Sequence, residues 1–363
     1  MSDEDQELTR EEEQALRRTC SRFLTWHGLR SASDFLSEIP PDVATDVYGE
    51  GGVVEELEDE IASLLGKPAA AFLPSGVMSQ QIALRVHADR RGRHTVLFHP
   101  FSHLDHHEER GYERLHGLHG RPVGEFQRLI EMDDLKGVAE PPAALLLELP
   151  QRDLGGQLPG WDDLVAQADW ARGRGAAVHM DGARLWGCES FYGRTFREIC
   201  EPFDTVYVSF YKQLGGLPGS GLAGPGDVVA EVREWRRRHG GTVHGMWPNA
   251  GSALNVLRMR LPRIAAYQEH ALAIADALRD LPDVDVVPDP PHTPMMHLVL
   301  YREAGPLRSA ALRMAREDGI WTWARYALTG APRAQRAELD VGDATLQLAP
   351  SEVGTIVERL LRD

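Results

Sequence analysis

Cysteine is scarce in this sequence of 363 residues, and long apolar runs are missing. The three cysteines, Cys20, Cys188 and Cys200, form no CxxC pair and are too few for a disulfide framework, which is typical of a reducing compartment. A helix needs about 20 apolar residues to cross a bilayer, and no apolar run in this sequence approaches that length. The N-terminal segment MSDEDQELTREEEQALRR is acidic, so we expect no signal peptide. These absences predict a cytoplasmic protein.

Positive charge is also in short supply. Lys and Arg number 39 against 55 Asp and Glu, which gives a formal net charge of −16 at pH 7. Nucleic acids and anionic membranes need a basic surface, so we expect neither as a partner. Apolar residues make up 42% of the chain, which is typical of a globular protein with a sizeable core.

A chain of this length is expected to form two unequal domains. The pattern predicts an N-terminal helical segment over residues 1–45, a large α/β domain over 46–255 and a small C-terminal α+β domain over 256–363. Thr9 and Glu12 have the spacing of a capping box, which predicts a helix up to about Trp26. A long helical stretch over residues 245–281 is expected to connect the large domain to the small one, where strands at VDVVPDP, HLVLY and ATLQLA alternate with helices.

The stretch AAAFLPSGVMSQQIALRVHA predicts a short strand, a Pro-Ser-Gly turn and a helix. A turn of small residues at a helix N-terminus presents free backbone N–H groups and a favourable dipole to a phosphate. Ser75, Gly76 and Val77 lie at this point. The signal is weak by itself, because any strand–helix turn has a similar composition.

Histidines are concentrated in residues 94–119, where seven of the fifteen occur: His94, His99, His103, His106, His107, His116 and His119. His103 and His107 are four residues apart, a spacing that a helix would bring to one face, so a metal site must be considered. No HExxH pattern is present, however, and we expect no metal. We interpret Ser102-His103 as the start of a helix, with one active histidine.

Two apolar strands that end on charged residues organise the centre of the chain. The first, in VHMDGARLWG, leads to Asp181 and Arg184, and the second, in VYVSFYKQLGGLPGSGL, leads to Lys212. Asp181 and Lys212 are 31 residues apart, about the length of a crossover between neighbouring parallel strands. The carboxyl ends of such strands are where ligands bind. A further buried strand is expected at residues 143–150, with Glu148 near its end.

A lysine and a carboxylate at neighbouring strand ends suit pyridoxal 5′-phosphate. The amine forms a Schiff base with the cofactor, and the carboxylate keeps the pyridine nitrogen protonated so that the ring can accept electrons. A lone Lys after a strand would be interpreted as a solvated surface residue. The combination of Lys212 with Asp181 and Arg184 argues against that interpretation and predicts this cofactor.

In these segments the chain resembles the threonine aldolase / β-eliminating lyase family of fold-type-I pyridoxal phosphate-dependent enzymes. The matching segments span roughly residues 46–225 in the family's order and are DVYGE, ELE, LGK, FLPSGVM, SHLDHHE, LELP with a later GG, VHMDGARLW and SFYKQLGGLPGS. The resemblance implies an α/β fold with a mostly parallel sheet flanked by helices and a smaller C-terminal α+β domain. It also implies a homodimer or homotetramer with active sites at the subunit interface.

The resemblance further implies roles for single residues. Lys212 would form the Schiff base, Asp181 would pair with the pyridine nitrogen, and Arg184 would bind the substrate carboxylate. His103 would stack over the cofactor ring and act as a base toward a substrate hydroxyl. The implied cofactor contacts are Ser75, Gly76, Val77, His103, Asp181, Ser209 and Lys212.

The sequence departs from the family pattern in several places. LRSASDFLSEIPPD replaces an RSDTVT-type segment, and ELPQRD replaces an ENTHN-like stretch. Val77 stands in place of a threonine whose hydroxyl can reach the phosphate, and Tyr211 in place of the serine before the lysine. A second arginine for the substrate carboxylate has no clear counterpart, and Arg325 is the candidate to replace it. A single arginine does not hold the substrate carboxylate from two sides, as a pair of arginines would. The sequence therefore does not identify the substrate.

The expected activity is cleavage of a threonine-like β-hydroxy-α-amino acid to glycine and an aldehyde, started by loss of the hydroxyl proton to His103. Removal of the Cα proton by Lys212 would instead lead to β-elimination, transamination or racemisation. The sequence does not decide which Cα bond lies perpendicular to the ring. A third hypothesis is a non-catalytic protein on the same scaffold, against which the presence of Lys212 and Asp181 counts.

Overall fold

The computed structural model describes residues 8–362, which divide into two compact units. One unit takes the chain up to Ala32 and again from Arg263 onward, and the other runs from Ser33 to Pro262. The predicted division, with boundaries after residues 45 and 255 and a separate N-terminal segment, differs from this one. The N-terminal residues belong with the C-terminal part because Arg22–Phe23 pairs with Ile320–Trp321 and the Trp26 indole donates to Asp340.

The strands of the described chain form three sheets. In chain order they are β1 (Arg22–Phe23), β2 (Ala69–Leu73), β3 (Thr95–Phe98), β4 (His119–Pro122), β5 (Ala144–Glu148), β6 (Ala177–Gly182), β7 (Thr205–Ser209), β8 (Ser220–Gly224), β9 (Val284–Val287), β10 (Met295–Leu300), β11 (Ile320–Trp321), β12 (Ala327–Leu328) and β13 (Gln335–Asp340).

The helices range from one turn to four. In chain order they are α1 (Arg10–Thr19), α2 (Ala32–Ser37), α3 (Gly52–Leu65), α4 (Gly76–Arg91), α5 (His103–His106), α6 (Gly111–Arg114), α7 (Met132–Lys136), α8 (Trp161–Gly173), α9 (Glu189–Tyr192), α10 (Phe196–Cys200), α11 (Gly226–Arg238), α12 (Trp247–Arg260), α13 (Ile264–Leu278), α14 (Ala304–Asp318) and α15 (Pro350–Arg362). Among residues 8–362, no helix has the length and apolar character needed to cross a membrane.

A seven-stranded sheet forms the centre of the larger unit, with the strand order β2-β8-β7-β6-β5-β3-β4. All neighbours from β7 to β4 are parallel, and β8 runs antiparallel to both β7 and β2. The prediction that the strands of Asp181 and Lys212 are parallel neighbours is confirmed, since β6 pairs with β7. Parallel strands place their carboxyl ends at one edge, so β5, β6 and β7 deliver their last residues to the same region.

Helix α4 is held against this sheet by apolar contacts. Its Ile82, Ala83 and Val86 pack in one buried cluster with Tyr207 of β7 and with apolar residues of β2, β8 and α11. The helix begins after Ser75, whose hydroxyl accepts from the N–H of Met78 at 3.2 Å. The close packing of α4 fixes the position of its N-terminus next to the carboxyl ends of the central strands.

The other unit contains a four-stranded antiparallel sheet of order β12-β13-β10-β9, together with α13, α14 and α15. This agrees with the predicted small α+β domain. One detail was wrong. ATLQLA was expected to be a strand, but Thr345–Gln347 forms a 3₁₀ turn, and the strand that pairs with β10 is the more polar β13.

Two helix predictions also need correction. The capping box of Thr9 and Glu12 is present, but α1 ends at Thr19 rather than near Trp26, because the chain then extends into β1. The long connecting helix is interrupted at Leu261–Arg263, where α12 gives way to α13. Pro262 lies at this break, as expected of a residue that lacks a backbone N–H.

Candidate active site

Three neighbouring strand ends bring acidic and basic residues together. Glu148 of β5 is in register with Asp181 of β6, and Asp181 is in register with Tyr207 of β7. Lys212 follows three residues after the end of β7. Asp181 is buried, and its Oδ1 accepts from the backbone N–H of Ala183 at 3.0 Å, which holds the carboxylate in place. The residues predicted to bind the cofactor ring therefore come from one edge of the sheet.

The environment of Lys212 favours its neutral amine. Burial lowers the pKa of Lys212 first, and the nearby positive charge of Arg184 lowers it further, while Asp181 and Glu148 oppose the shift. A lysine must lose its proton before it can attack a carbonyl. A lowered lysine pKa is what Schiff-base formation requires, and the guanidinium of Arg184 lies within electrostatic reach of the Lys212 amine.

Glu148 is a second acidic group at this edge. Its carboxylate accepts from the Gln151 amide and from the backbone N–H of Arg152, both at 3.1 Å. Burial raises the pKa of Glu148, and the neighbouring charge of Asp181 raises it further. Two nearby carboxyl groups resist double ionisation, which favours the protonated form of Glu148.

His103 is oriented by a buried carboxylate. It is the first residue of α5, and its Nδ1 lies 2.9 Å from Oε1 of Glu108. The other carboxylate oxygen of Glu108 accepts from the side-chain amide of Gln81, on α4, at 3.2 Å. Because Glu108 takes the Nδ1–H, the Nε2 of His103 is left as the proton acceptor. Burial raises the pKa of Glu108 above its usual value.

His107 lies beside His103, with ring centroids 5.0 Å apart. Burial lowers the pKa of His107, and the neighbouring His103 lowers it as well. Its Nε2 is 3.8 Å from the Asp153 carboxylate. Within residues 8–362, no three or more His, Cys, Asp or Glu side chains are grouped as a metal-binding set.

The N-terminus of α4 is shaped by a close approach to β7. The hydroxyl of Ser75 is engaged with Met78 of its own helix, so the N–H groups of Gly76 and Val77 remain as the first helical donors. A Cβ built on Gly76 would overlap the Tyr207 hydroxyl, so any larger residue would have to displace the phenol. Val77 is 37% exposed and adds no polar group.

Ser209 ends β7 with a fully buried side chain. Its hydroxyl has no partner at hydrogen-bond distance within the described residues. A buried hydroxyl without a partner is costly unless a ligand satisfies it. Ser209 and the first turn of α4 therefore have the donors that an anion needs.

The two arginines predicted to bind substrate lie in different units. Arg184 is 6% exposed and follows β6 at the start of a 3₁₀ turn. Arg325 belongs to the other unit, on an exposed position between β11 and β12. Its contact with a substrate stays a prediction.

Comparison with known proteins decides the family. A family model described as beta-eliminating lyase matches residues 39–301. The chain belongs to this family. A protein from Listeria monocytogenes, solved as a candidate L-allo-threonine aldolase, is 35% identical, with a TM-score of 0.89 over 96% of this chain and 98% of that one. A candidate aromatic amino acid β-eliminating lyase/threonine aldolase from Exiguobacterium is 34% identical, with a TM-score of 0.90 over 96% and 99%.

Curated relatives agree with the structural ones. Low-specificity L-threonine aldolase 1 of Arabidopsis thaliana is 26% identical over 255 residues, which cover 68% of this chain and 71% of that protein. The low specificity L-threonine aldolase of Escherichia coli K12 is 28% identical over 251 residues, covering 66% and 72%. This β-eliminating lyase family member is a pyridoxal phosphate-dependent lyase with the fold-type-I architecture.

The residues of the site fit that cofactor. Lys212 is a buried amine of lowered pKa, Asp181 is a fixed carboxylate beside it, and Ser209 offers an unsatisfied hydroxyl. Sequence reasoning missed the roles of Glu108 and Gln81, although Glu108 is the last residue of the matching segment SHLDHHE. Neither role can be predicted from spacing along the chain. A Glu five residues after a His matches no helical or strand spacing, and Gln81 lies on a different helix from His103.

Proposed function

We propose that the protein cleaves a threonine-like β-hydroxy-α-amino acid to glycine and an aldehyde, with pyridoxal phosphate held by Lys212. Relatives named threonine aldolase support this reaction. The observation that carries it is the His103–Glu108 pair, because a hydroxyl proton must be removed for the Cα–Cβ bond to break and a positioned imidazole can remove it.

When bound, pyridoxal phosphate accepts the electron pair of the bond that breaks at Cα. Asp181 supplies the negative charge that keeps the pyridine nitrogen protonated. Ser209 and the N–H groups of Gly76 and Val77 hold the phosphate, with Ser75 shaping the turn before them. Lys212, whose pKa is lowered, supplies the neutral amine to which the cofactor attaches.

His103 acts as the base that removes the proton of the substrate hydroxyl. Its Nε2 takes the proton of the β-hydroxyl while Glu108 holds the opposite ring nitrogen and stabilises the imidazolium that forms. The hydroxyl oxygen then becomes the carbonyl oxygen of the aldehyde. Glu108 is a positioning residue in this scheme, since it acts through His103.

Arg184 binds the substrate carboxylate. Its guanidinium is buried and acts electrostatically on Lys212, so a carboxylate paired with it would place the substrate amine near the site of attachment. Arg325 is proposed as a second contact on the basis of the family resemblance.

The protein is proposed to act as a homodimer or homotetramer with active sites at the interface. The large unit exposes Val47, Tyr48 and Val243, with exposed fractions of 56%, 55% and 48%, and Tyr48 stacks edge-on with His244 at 5.2 Å. Exposed apolar groups of this kind favour an interface. Light scattering should give at least twice the monomer mass, and a monomer would contradict the proposal.

A second candidate is another pyridoxal phosphate reaction, such as β-elimination or racemisation. It is favoured by the relative described as an aromatic amino acid β-eliminating lyase/threonine aldolase. In that case, Lys212 takes the Cα proton and no aldehyde is released. A non-catalytic role is disfavoured, because Lys212 and Asp181 retain the chemistry that a scaffold would not need.

The decisive experiment is the visible absorption spectrum of the purified protein and of Lys212→Ala, before and after glycine and L-threonine, with aldehyde release measured in parallel. A band that depends on Lys212, a new long-wavelength band with glycine, and aldehyde from threonine would support the aldolase reaction. Exchange of the Cα proton without aldehyde would select the second candidate. A protein that cannot be loaded with pyridoxal phosphate would contradict both.

A further inference from the structure

Tyr207 occupies an unusual place in the cofactor region. It lies in the middle of β7, on the face that carries Thr205 and Ser209, and its side chain runs along α4 with 2% of its surface exposed. Its hydroxyl ends against Gly76, the first residue of α4. A phenol buried along its length therefore places its only polar atom at a helix N-terminus.

The surroundings of this hydroxyl favour its role as a donor. Burial and the charge of Asp181 raise the pKa of Tyr207 well above its usual value, so the phenol keeps its proton. The Ser209 side chain lies beside it. The Tyr207 hydroxyl thus meets the first residue of α4 from the sheet side, and Ser209 lies two residues further along the same face of β7.

The same turn lacks a hydroxyl on its solvent side. Val77 offers only its backbone N–H, and the Ser75 hydroxyl is engaged with Met78. A phosphate group has several acceptor oxygens and is bound best when each has a donor. Without another side-chain donor, the proposed phosphate site has only the two N–H groups of Gly76 and Val77 and the Ser209 hydroxyl.

We propose that the Tyr207 hydroxyl donates a hydrogen bond to the phosphate of the cofactor and so replaces the hydroxyl that Val77 does not supply. This inference rests on the phosphate site proposed above. Gly76 then has a specific function, because its missing side chain leaves room for the Tyr207 phenol to reach the N-terminus of α4.

The test is the affinity of the apoprotein for pyridoxal 5′-phosphate and for pyridoxal, which lacks the phosphate, in the wild type and in Tyr207→Phe. Both are titrated by the absorbance of the lysine adduct. The variant should bind pyridoxal phosphate roughly ten- to a hundredfold more weakly, as expected for loss of a hydrogen bond to a charged group, and pyridoxal unchanged. Tyr192→Phe is the matched control, because the Tyr192 hydroxyl donates to the Pro159 carbonyl instead.

A second variant tests the replacement itself. Val77→Thr should tighten pyridoxal phosphate binding more in the Tyr207→Phe background than in the wild type, because only there is a donor missing. Equal gains in the two backgrounds, equal weakening of both ligands by Tyr207→Phe, or no weakening at all would overturn the inference. Loss of the lysine-dependent band in every variant would instead point to failure of the proposed cofactor site.

Discussion

The two ends of the candidate site are built from different kinds of group. The proposed proton-handling end, made of Lys212, Asp181, Glu108 and His103, consists of ionisable side chains, and burial lowers the pKa of Lys212 and raises the pKa of Glu108. The proposed anion-binding end, made of the first turn of α4 with Ser209 and Tyr207, has neutral donors and depends on close packing. Changes at the first end should alter rate and pH dependence, and changes at the second should alter cofactor affinity.

The largest effect is expected at Lys212. Lys212→Ala removes the amine that attaches the cofactor, so kcat/KM for threonine cleavage should fall by about a thousandfold or more. The steady-state assay and the visible spectrum measure it together. Lys136→Ala is the control, since Lys136 is exposed and forms an ion pair with its near neighbour Asp133. Residual activity close to wild type would exclude Lys212 as the attachment point.

Arg184→Lys should weaken substrate binding while leaving the cofactor band intact. A lysine keeps the charge but cannot form the two parallel hydrogen bonds of a guanidinium to a carboxylate, so KM for L-threonine should rise by about a hundredfold. Steady-state kinetics with a parallel spectrum separate the two effects. An unchanged KM would show that the substrate carboxylate binds elsewhere.

Glu108→Gln should lower kcat roughly ten- to a hundredfold and change its pH profile. In the wild type, Glu108 gains a proton as the pH falls through its raised pKa, and it then accepts the Nδ1–H of His103 less well, so activity should decline on the acid side. Glutamine cannot titrate, and that acid limb should flatten. The neighbouring, exposed Glu109→Gln is the control and should keep the wild-type profile. An acid limb that persists in Glu108→Gln would assign it to another group.

The smallest effect is expected for Gly76→Ala at the anion-binding end. The added methyl group meets the Tyr207 hydroxyl and ring, so pyridoxal phosphate should bind about tenfold more weakly when the apoprotein is titrated. Adding Tyr207→Phe should then cost less affinity than it does in the wild type, because the phenol is already displaced. Gly173→Ala is the control, because nothing lies within 4 Å of a Cβ at Gly173. Losses that simply add in the double variant would argue against a direct contact.

Much of the large unit was predictable because its signals are local. The apolar strands that end at Glu148 and Asp181 and the Pro-Ser-Gly turn before α4 each belong to one local unit, and a single crossover between neighbouring strands joins Asp181 to Lys212. The missed break at Leu261–Arg263 had a local signal in Pro262, whereas the error at ATLQLA arises where long-range pairing overrides local pattern. β13 is strand because β10 and β12 pair with it on both sides, although its own sequence is polar.

The sequence by itself determined the chemistry of this protein: an amine, a carboxylate and an arginine at strand ends, and a turn of small residues at a helix start. Only the tertiary structure decided how those groups are supported. Glu108 reaches His103 and Gln81 because α4 and the loop after β3 fold against one another, and Tyr207 reaches Gly76 because α4 packs along β7. Such contacts depend on side-chain direction and distance between segments remote in sequence, which spacing along a chain does not encode.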